Sequence, residues 1–110
     1  MNISFNGRVF LTDDEGFLQN SADWSEELMF EMAKLDNLTL TEDHLVVIKA
    51  VQDYFKEYDT TPAIRILLKY LKETGHENLA SSVALARLFP NGAAKSAAKY
   101  AGLKKPIKCI

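Results

Sequence analysis

The sequence contains only one cysteine among its 110 residues, at position 109. One cysteine cannot close a disulfide within the chain, and one cysteine with two histidines is too few for the usual four-ligand zinc site. We therefore expect a free thiol and neither a metal nor another cofactor. A prenylation signal is excluded as well, because it requires a cysteine fourth from the end, whereas Cys109 is the next-to-last residue.

Long hydrophobic runs are also missing. No apolar stretch approaches the ~20 residues that cross a bilayer, and the start of the sequence lacks the basic segment and apolar run of a signal peptide. We therefore expect a cytoplasmic protein that does not contact a membrane. A length of 110 residues, 47% hydrophobic and 25% charged, predicts one globular domain spanning residues 1–110.

The C-terminal third lacks acidic side chains. Residues 1–77 hold fifteen Asp/Glu and seven Lys/Arg, whereas residues 78–110 hold six Lys/Arg and no Asp/Glu. This asymmetry favours an anionic partner surface, either nucleic acid or an acidic cleft of another protein.

The first nineteen residues have the pattern of a small β-structure. Apolar residues flank Asn6-Gly7, a dipeptide that accepts the positive φ angles of a type I′ hairpin turn. A further turn before Phe17-Leu18 predicts a short third strand. Because a β-meander of this size cannot stand alone, it must pack on helices.

Five helices are predicted between residues 21 and 101 from helical spacing of apolar residues and from capping signals. Thr61 is expected to cap the third helix, because a threonine before a proline in the first helical position satisfies one amide and removes another. The predicted fold class is α+β and mainly helical, with the hairpin or meander packed on the helical bundle. The predicted helices run from about Ser25 to Asp36, Thr41 to Tyr58, Pro62 to Gly75, Leu79 to Phe89 and Ala93 to Ala101.

Residues 102–110 are left as a C-terminal arm. Pro106 cannot continue a helix and biases Lys105 toward an extended conformation, so we expect the arm to project from the body. Seven residue steps separate Gly102 from Cys109. At ~3.3 to 3.6 Å for each step, the sulfur can reach roughly 25 Å from the body, far enough to enter another protein's active site.

The position of Cys109 favours an exposed thiol. A free cysteine in mid-chain is most often a small buried hydrophobe, but a residue beside the end of the sequence has little structure to bury it. An arm docked in a groove is the alternative. The side chains of Lys104, Lys105 and Lys108 favour the thiolate, the form that attacks a persulfide, whereas the terminal carboxylate opposes it.

Five blocks of the sequence recur in one known family. They are Asp-Glu-Gly-Phe-Leu at 14–18, Asp-Trp-Ser-Glu at 23–26, Thr-Pro-Ala-Ile-Arg at 61–65, Leu-Phe-Pro-Asn-Gly at 88–92, and Ala-Gly-Leu-Lys-Lys-Pro-Ile-Lys-Cys-Ile at 101–110. On these residues the chain resembles the TusE/DsrC family, which includes a sulfur-relay carrier for tRNA 2-thiouridine and the gamma subunit of dissimilatory sulfite reductase. The last block is the most specific, and the resemblance spans the whole chain.

The resemblance implies a function for Cys109 and a set of partners. Cys109 would accept persulfide sulfur from a TusBCD-like donor complex and relay it to a tRNA 2-thiouridylase, with tRNA contacted at most indirectly. Family members that serve sulfite reductase have a second cysteine, at the position that Ala98 occupies here, so the one-cysteine relay is preferred. The sequence shows no paired carboxylates, Ser-His-Asp set or glycine-rich phosphate loop. Any sulfurtransferase activity would therefore lack an independent catalytic pocket.

Two other functions remain open. The second and third helices with the hairpin resemble a winged helix-turn-helix, which predicts nucleic-acid binding with the basic C-terminus on phosphate, although the third helix offers only Arg65, Lys69 and Lys72 as cations. The other alternative is an accessory subunit of a sulfite-reductase-type complex. Salt-sensitive binding to duplex DNA that survives loss of Cys109 would favour the first alternative.

Several further side chains have predicted positions. Arg65 either holds a buried carboxylate or lines a docking groove for the arm. Most aromatic side chains, Trp24 among them, are expected in the core, although Tyr100 can instead flank the base of the arm. His44, in the first turn of a helix, and His76, after a glycine, are expected to be exposed to solvent.

Overall fold

The computed structural model describes residues 2–104. The predicted fold class is confirmed, since this part of the chain is mainly helical with a two-stranded antiparallel sheet at its start. Short 3₁₀ turns at Ser21–Asp23 and Glu77–Leu79 precede the first and fourth helices. The elements are β1 (Asn2–Phe5), β2 (Arg8–Leu11), α1 (Glu26–Leu35), α2 (Glu42–Tyr58), α3 (Ile64–Glu73), α4 (Ser82–Leu88) and α5 (Ala93–Tyr100).

The hairpin forms where the sequence predicted it. Ile3 of β1 lies opposite Phe10 of β2, and both side chains are buried on the face that meets the helices. Between the strands, Asn6 and Gly7 have φ angles of 51° and 75°. Positive φ at both central residues is what a type I′ turn requires, so the dipeptide determines the turn.

The predicted third strand is reduced to one bridge, between Thr12 and Leu18. The intervening residues form a tight turn instead of extending the pairing. One carboxylate oxygen of Asp13 accepts hydrogen bonds from the amides of Glu15 and Phe17, each at 2.9 Å. The turn closes over so few residues that a longer strand has no room.

His44 is buried, so the prediction that it is exposed is wrong. The residue is 5% exposed, and its Nε2 lies 2.6 Å from the carbonyl oxygen of Leu88. Because a carbonyl only accepts hydrogen bonds, Nε2 carries the proton, and Nδ1 accepts from the amide of Thr41 at 3.0 Å and its hydroxyl at 2.8 Å. The imidazole thus caps the start of α2 and connects it to the end of α4.

The third helix begins later than predicted. α3 starts at Ile64, Ala63 is its N-cap residue, and Thr61 and Pro62 lie buried in the loop before it. Thr61 therefore does not cap the helix, because its hydroxyl donates to the carbonyl of Lys104 instead.

The helix predicted from Leu79 to Phe89 begins later, at Ser82, and is preceded by a separate 3₁₀ turn. A 3₁₀ turn ends at Leu79, and α4 begins only at Ser82. The reason is a second start signal inside the segment: the hydroxyl oxygen of Ser81 accepts a hydrogen bond of 3.1 Å from the amide of Ala84.

The core lies among α1, α2, α3 and α5, with the hairpin covering α1. α2 packs on both α3 and α5, and the buried alanines of α5 let it approach closely. Phe30 and Tyr58 are exceptions to the expectation that aromatic residues are buried, at 41% and 54% exposed. In the range 2–104, no helix has the length and apolar character needed to span a bilayer. The side chains with least exposure include Leu28, Met32, Val47, Ile48, Val51, Leu67, Leu71, Leu85 and Phe89.

Candidate functional site at the base of the C-terminal arm

The described residues end within the predicted arm. Cys109 lies outside them, as do Lys105 and Lys108, whereas Lys104 is the last residue described. The geometry of the candidate site is therefore that of the segment from which the arm continues, residues 100–104, which we call the arm base.

The arm base begins with a helix-ending turn. The amide of Gly102 donates to the carbonyl of Lys99 at 3.2 Å, and the amide of Leu103 donates to the carbonyl of Ala98 at 3.0 Å. This pair of bonds is the Schellman motif, which needs a residue with left-handed φ. Gly102 supplies it, with φ of 75°, and α5 ends within one residue of the predicted end at Ala101.

Trp24 covers this turn. A Cβ atom on Gly102 would lie 2.7 Å from both Cβ and Cδ1 of Trp24, closer than real side chains approach. The indole Nε1–H also donates a 2.7 Å hydrogen bond to the carbonyl of Tyr100. Glycine is thus required at position 102 for space as well as for backbone angle.

Two further side chains bind carbonyl groups of the arm base. Gln52, on α2, donates from Nε2 to the carbonyl of Ala101 at 3.2 Å. Thr61, in the loop between α2 and α3, donates from its hydroxyl to the carbonyl of Lys104 at 3.0 Å. Together with Trp24, side chains from three separate segments hold the arm base.

The side chain of Tyr100 is anchored in the body. Its hydroxyl donates 2.8 Å to Oδ2 of Asp36, and the same oxygen accepts from Lys99 Nζ at 2.8 Å. Burial of the ring, the hydrogen bond to Asp36 and the negative charge of Asp36 all raise the pKa of Tyr100 above its usual value. Lys99 also lies against Gly16, where a Cβ atom would meet its Cε at 2.8 Å. The turn after the hairpin and the end of α1 therefore fix the end of α5.

The structure brings together only part of the predicted site. Tyr100 and Lys104 are both in the arm base, with Tyr100 buried and Lys104 exposed. Arg65 is exposed in the first turn of α3, and none of the ion pairs found within residues 2–104 includes it. An exposed Arg65 does not hold a buried carboxylate, so the docking role is the prediction that remains for it.

Sequence reasoning missed four residues of the site: Trp24, Asp36, Gln52 and Thr61. A signal existed for Gln52, because it is a polar residue within the apolar stripe of α2. Thr61 was assigned to a local cap, and Asp36 was seen only as the end of a helix. Their partners lie 43 and 64 residues away along the chain, a distance that local patterns do not encode.

The arm base is built to position the chain. Its contacts are side-chain hydrogen bonds to main-chain carbonyls, the hydrogen bond from the Tyr100 hydroxyl to Asp36, and packing of an indole on a glycine. Within the described part of the chain, no group of three or more His, Cys, Asp or Glu side chains is arranged to hold a metal ion. The arrangement therefore fixes the position of the chain as far as Lys104.

Comparisons with known proteins agree with one another. The family model described as "DsrC like protein" matches residues 4–110. Sulfurtransferase TusE of Yersinia pestis is 46% identical over 108 residues, covering 98% of this chain and 99% of the relative. Sulfurtransferase TusE of Escherichia coli K12 is 43% identical over 106 residues, covering 96% and 97% respectively.

Solved structures show the same likeness. The NMR structure of DsrC from Allochromatium vinosum superposes with a TM-score of 0.88 at 40% identity, covering 99% of this chain and 97% of that one. The crystal structure of the oxidized gamma-subunit of dissimilatory sulfite reductase (DsrC) from Archaeoglobus fulgidus gives a TM-score of 0.83 at 31% identity, with both chains fully covered.

Proposed function

This chain belongs to the DsrC-like protein family, and we propose that it carries sulfur as a persulfide on Cys109 and passes it to a tRNA 2-thiouridylase. One observation carries the proposal: the family match runs through residue 110, and Cys109 is the only cysteine in the sequence. The likeness to proteins named sulfurtransferase TusE supports a sulfur-carrier role. A sulfur carrier needs a thiol, and Cys109 provides one.

The proposed transfer consists of two thiolate displacements. The Cys109 thiolate attacks the outer sulfur of a donor persulfide, the donor's S–S bond breaks, and the donor thiolate leaves. The product is Cys109–S–S–H, in which the outer sulfur is the cargo. An acceptor thiolate then attacks that outer sulfur and releases the Cys109 thiolate. Electrons balance in each step, so neither step needs an external oxidant or reductant.

The arm base supports this role through its construction. Three side chains fix the carbonyls of Tyr100, Ala101 and Lys104, so the residues that follow start from a defined point. A carrier thiol must enter the pockets of two different partners in turn. A short segment that starts from a fixed origin keeps the thiol near a docked partner and lowers the entropy cost of delivery.

The proposed partners are a TusBCD-like sulfur donor complex and the tRNA 2-thiouridylase, in a cytoplasmic pathway. Residues 78–110 hold six Lys/Arg and no Asp/Glu, a charge that favours docking on an acidic cleft or on an enzyme with bound tRNA. Contact of this chain with the tRNA itself is at most indirect in this proposal.

An accessory role in a sulfite-reductase-type complex is the second candidate, favoured by the likeness to DsrC structures. The resemblance assigns the position of the second cysteine of such proteins to Ala98. Ala98 lies fully buried in α5, and its carbonyl accepts the amide of Leu103. A chain with alanine at this position cannot form an intramolecular disulfide or trisulfide with Cys109, so the single-thiol relay is preferred.

Sulfur uptake tests the proposal directly. The purified chain is incubated with glutathione persulfide, freed of excess donor and measured by intact mass. We expect the mass of one added sulfur atom in the wild type and none in Cys109→Ser. Because Cys109 is the only thiol, a control places one elsewhere: Ser82→Cys in the Cys109→Ser background puts a thiol on the exposed start of α4.

The control separates chemical reactivity from relay. Both thiol-containing chains can react with the small donor, but only the chain with Cys109 should pass its sulfur to a partner enzyme. In cells, 2-thiouridine in tRNA should be lost with Cys109→Ser and should stay lost with the Ser82→Cys control. Normal 2-thiouridine in cells carrying Cys109→Ser would overturn the proposal. Salt-sensitive DNA binding unaffected by that substitution would support the nucleic-acid alternative instead.

A further inference from the structure

Thr61 occupies an unusual place for a loop threonine. It is 8% exposed and follows α2 by three residues, yet its hydroxyl bonds the carbonyl of Lys104, 43 residues later. The local sequence, Thr61-Pro62, is typical of a helix start, but α3 begins without it, with Ala63 as the cap. The hydroxyl of Thr61 therefore bonds the arm base and does not cap α3.

Within residues 2–104, the bond from Thr61 is the hydrogen bond to the arm base that lies nearest to Cys109 along the chain. Ala101 is held through Gln52, and the amide of Leu103 is held within the helix-ending turn. The bond from Thr61 holds Lys104, which follows both Ala101 and Leu103 in the chain. Five residue steps then remain before Cys109. Their maximum span is about 18 Å, shorter than the span counted from Gly102.

We propose that Thr61 is a positioning residue for sulfur transfer, whose hydroxyl fixes the origin of the segment that carries Cys109. The inference rests on the proposed carrier function and adds a residue to it. Without the bond, Lys104 loses this hydrogen bond to the body, and the origin moves back toward Leu103. The thiol then samples a larger volume, and its effective concentration in the pocket of a docked partner falls.

A distance measurement tests the position of the thiol without any partner. The sequence has one tryptophan and one cysteine, so a fluorescent acceptor attached to Cys109 pairs with Trp24 in the full chain. Time-resolved energy transfer gives the distribution of distances between them. Thr61→Val removes the hydroxyl and keeps the branched shape, whereas Thr61→Ser keeps the hydroxyl. Thr60→Val is the matched control in the same loop.

We expect Thr61→Val to broaden the distance distribution, while Thr61→Ser and Thr60→Val keep the wild-type distribution. A change in global stability alone would not alter the distribution measured in the folded state. If Thr61→Val and the wild type give the same distribution, the positioning role is overturned.

Transfer kinetics give the second readout. At saturating concentrations of a persulfide-loaded TusBCD-like donor complex, the single-turnover rate should fall about two- to fivefold in Thr61→Val, with the half-saturating concentration unchanged. Uptake from glutathione persulfide, which requires no docking, should be equal in all variants. Equal losses with both donors, or no loss with either, would contradict the proposal. If the wild type took up no sulfur from any donor, the carrier function would fail, and the distance measurement would still decide the role of Thr61.

Discussion

The indole N–H of Trp24 donates a 2.7 Å hydrogen bond to the carbonyl oxygen of Tyr100, so the loop before α1 closes on the end of the last helix. The two residues are 76 positions apart in the sequence. The same indole covers Gly102, and the contact therefore links the start of the helical region to the origin of the arm. The contacts of Trp24 therefore contribute both to the stability of the fold and to the position of the arm base.

Replacing Trp24 with phenylalanine should separate the hydrogen bond from the packing. The phenyl ring can still lie on Gly102, but the carbonyl of Tyr100 loses its donor. We expect the free energy of unfolding to fall by about 1 to 2 kcal/mol, as measured by urea denaturation followed by circular dichroism. A loss below about 0.5 kcal/mol would mean that a water molecule donates to the carbonyl of Tyr100 in place of the indole, at little cost in stability.

Gly102→Ala should destabilise the protein more than Gly75→Ala. Both glycines have left-handed φ, 75° and 87°, so each substitution introduces backbone strain of about 1 kcal/mol. A Cβ on Gly75 meets nothing within 4 Å, whereas on Gly102 it would overlap Trp24. We expect losses of about 1 kcal/mol for Gly75→Ala and about 2 to 4 kcal/mol for Gly102→Ala in denaturant titrations. Equal losses would show that Trp24 moves aside freely.

The two histidines should respond differently to substitution by alanine. His44→Ala removes the partners of the Leu88 carbonyl and the Thr41 amide in a buried region, and we expect a loss of about 2 to 4 kcal/mol. His76→Ala is the control, because His76 is partly exposed after α3, and we expect a change within about 0.5 kcal/mol. Thermal and urea unfolding of both variants provide the measurement. Similar small losses would contradict the structural role of His44.

Local sequence signals were sufficient for most of the fold. The Asn6-Gly7 turn and the predicted end of the fifth helix near Ala101 depend on interactions within a few residues, and the structure shows both. Helical spacing of apolar residues likewise located five helices in the described part of the chain. The helices pack on one another through the apolar faces that this spacing defines, so the sequence was sufficient to predict the bundle.

The candidate site was harder to predict because its side chains serve distant partners. A threonine before a proline can cap a helix or bond elsewhere, and the choice at Thr61 depends on where the Lys104 carbonyl lies. His44 posed the same problem, because a first-turn histidine is exposed unless another helix end, here Leu88, covers it. The spacing of apolar residues shows which face of a helix is buried, but it does not show which residues that face contacts. These contacts therefore required the three-dimensional structure.

Tyr100 should make the stability of the protein sensitive to alkaline pH. Burial, the hydrogen bond to Asp36 and the charge of that carboxylate raise the pKa of Tyr100 in the folded state above the ordinary value of about 10. The unfolded chain therefore loses this proton first as the pH rises. The contribution of Tyr100 to stability is complete below pH ~10 and declines above it, by up to about 1.4 kcal/mol per pH unit.

Unfolding free energies measured from pH 8 to 11.5 should show this decline in the wild type. Tyr100→Phe should be less stable near pH 8, because the bond to Asp36 is lost, but its stability should fall less steeply above pH ~10. Tyr58→Phe is the control: the charge of Glu57 also raises the pKa of Tyr58, but this side chain is 54% exposed and solvent screens that charge, so most of the wild-type slope should remain. Parallel pH profiles for wild type and Tyr100→Phe would show that the buried hydroxyl ionises as readily in the folded protein as in the unfolded chain, against the raised pKa that its contacts imply.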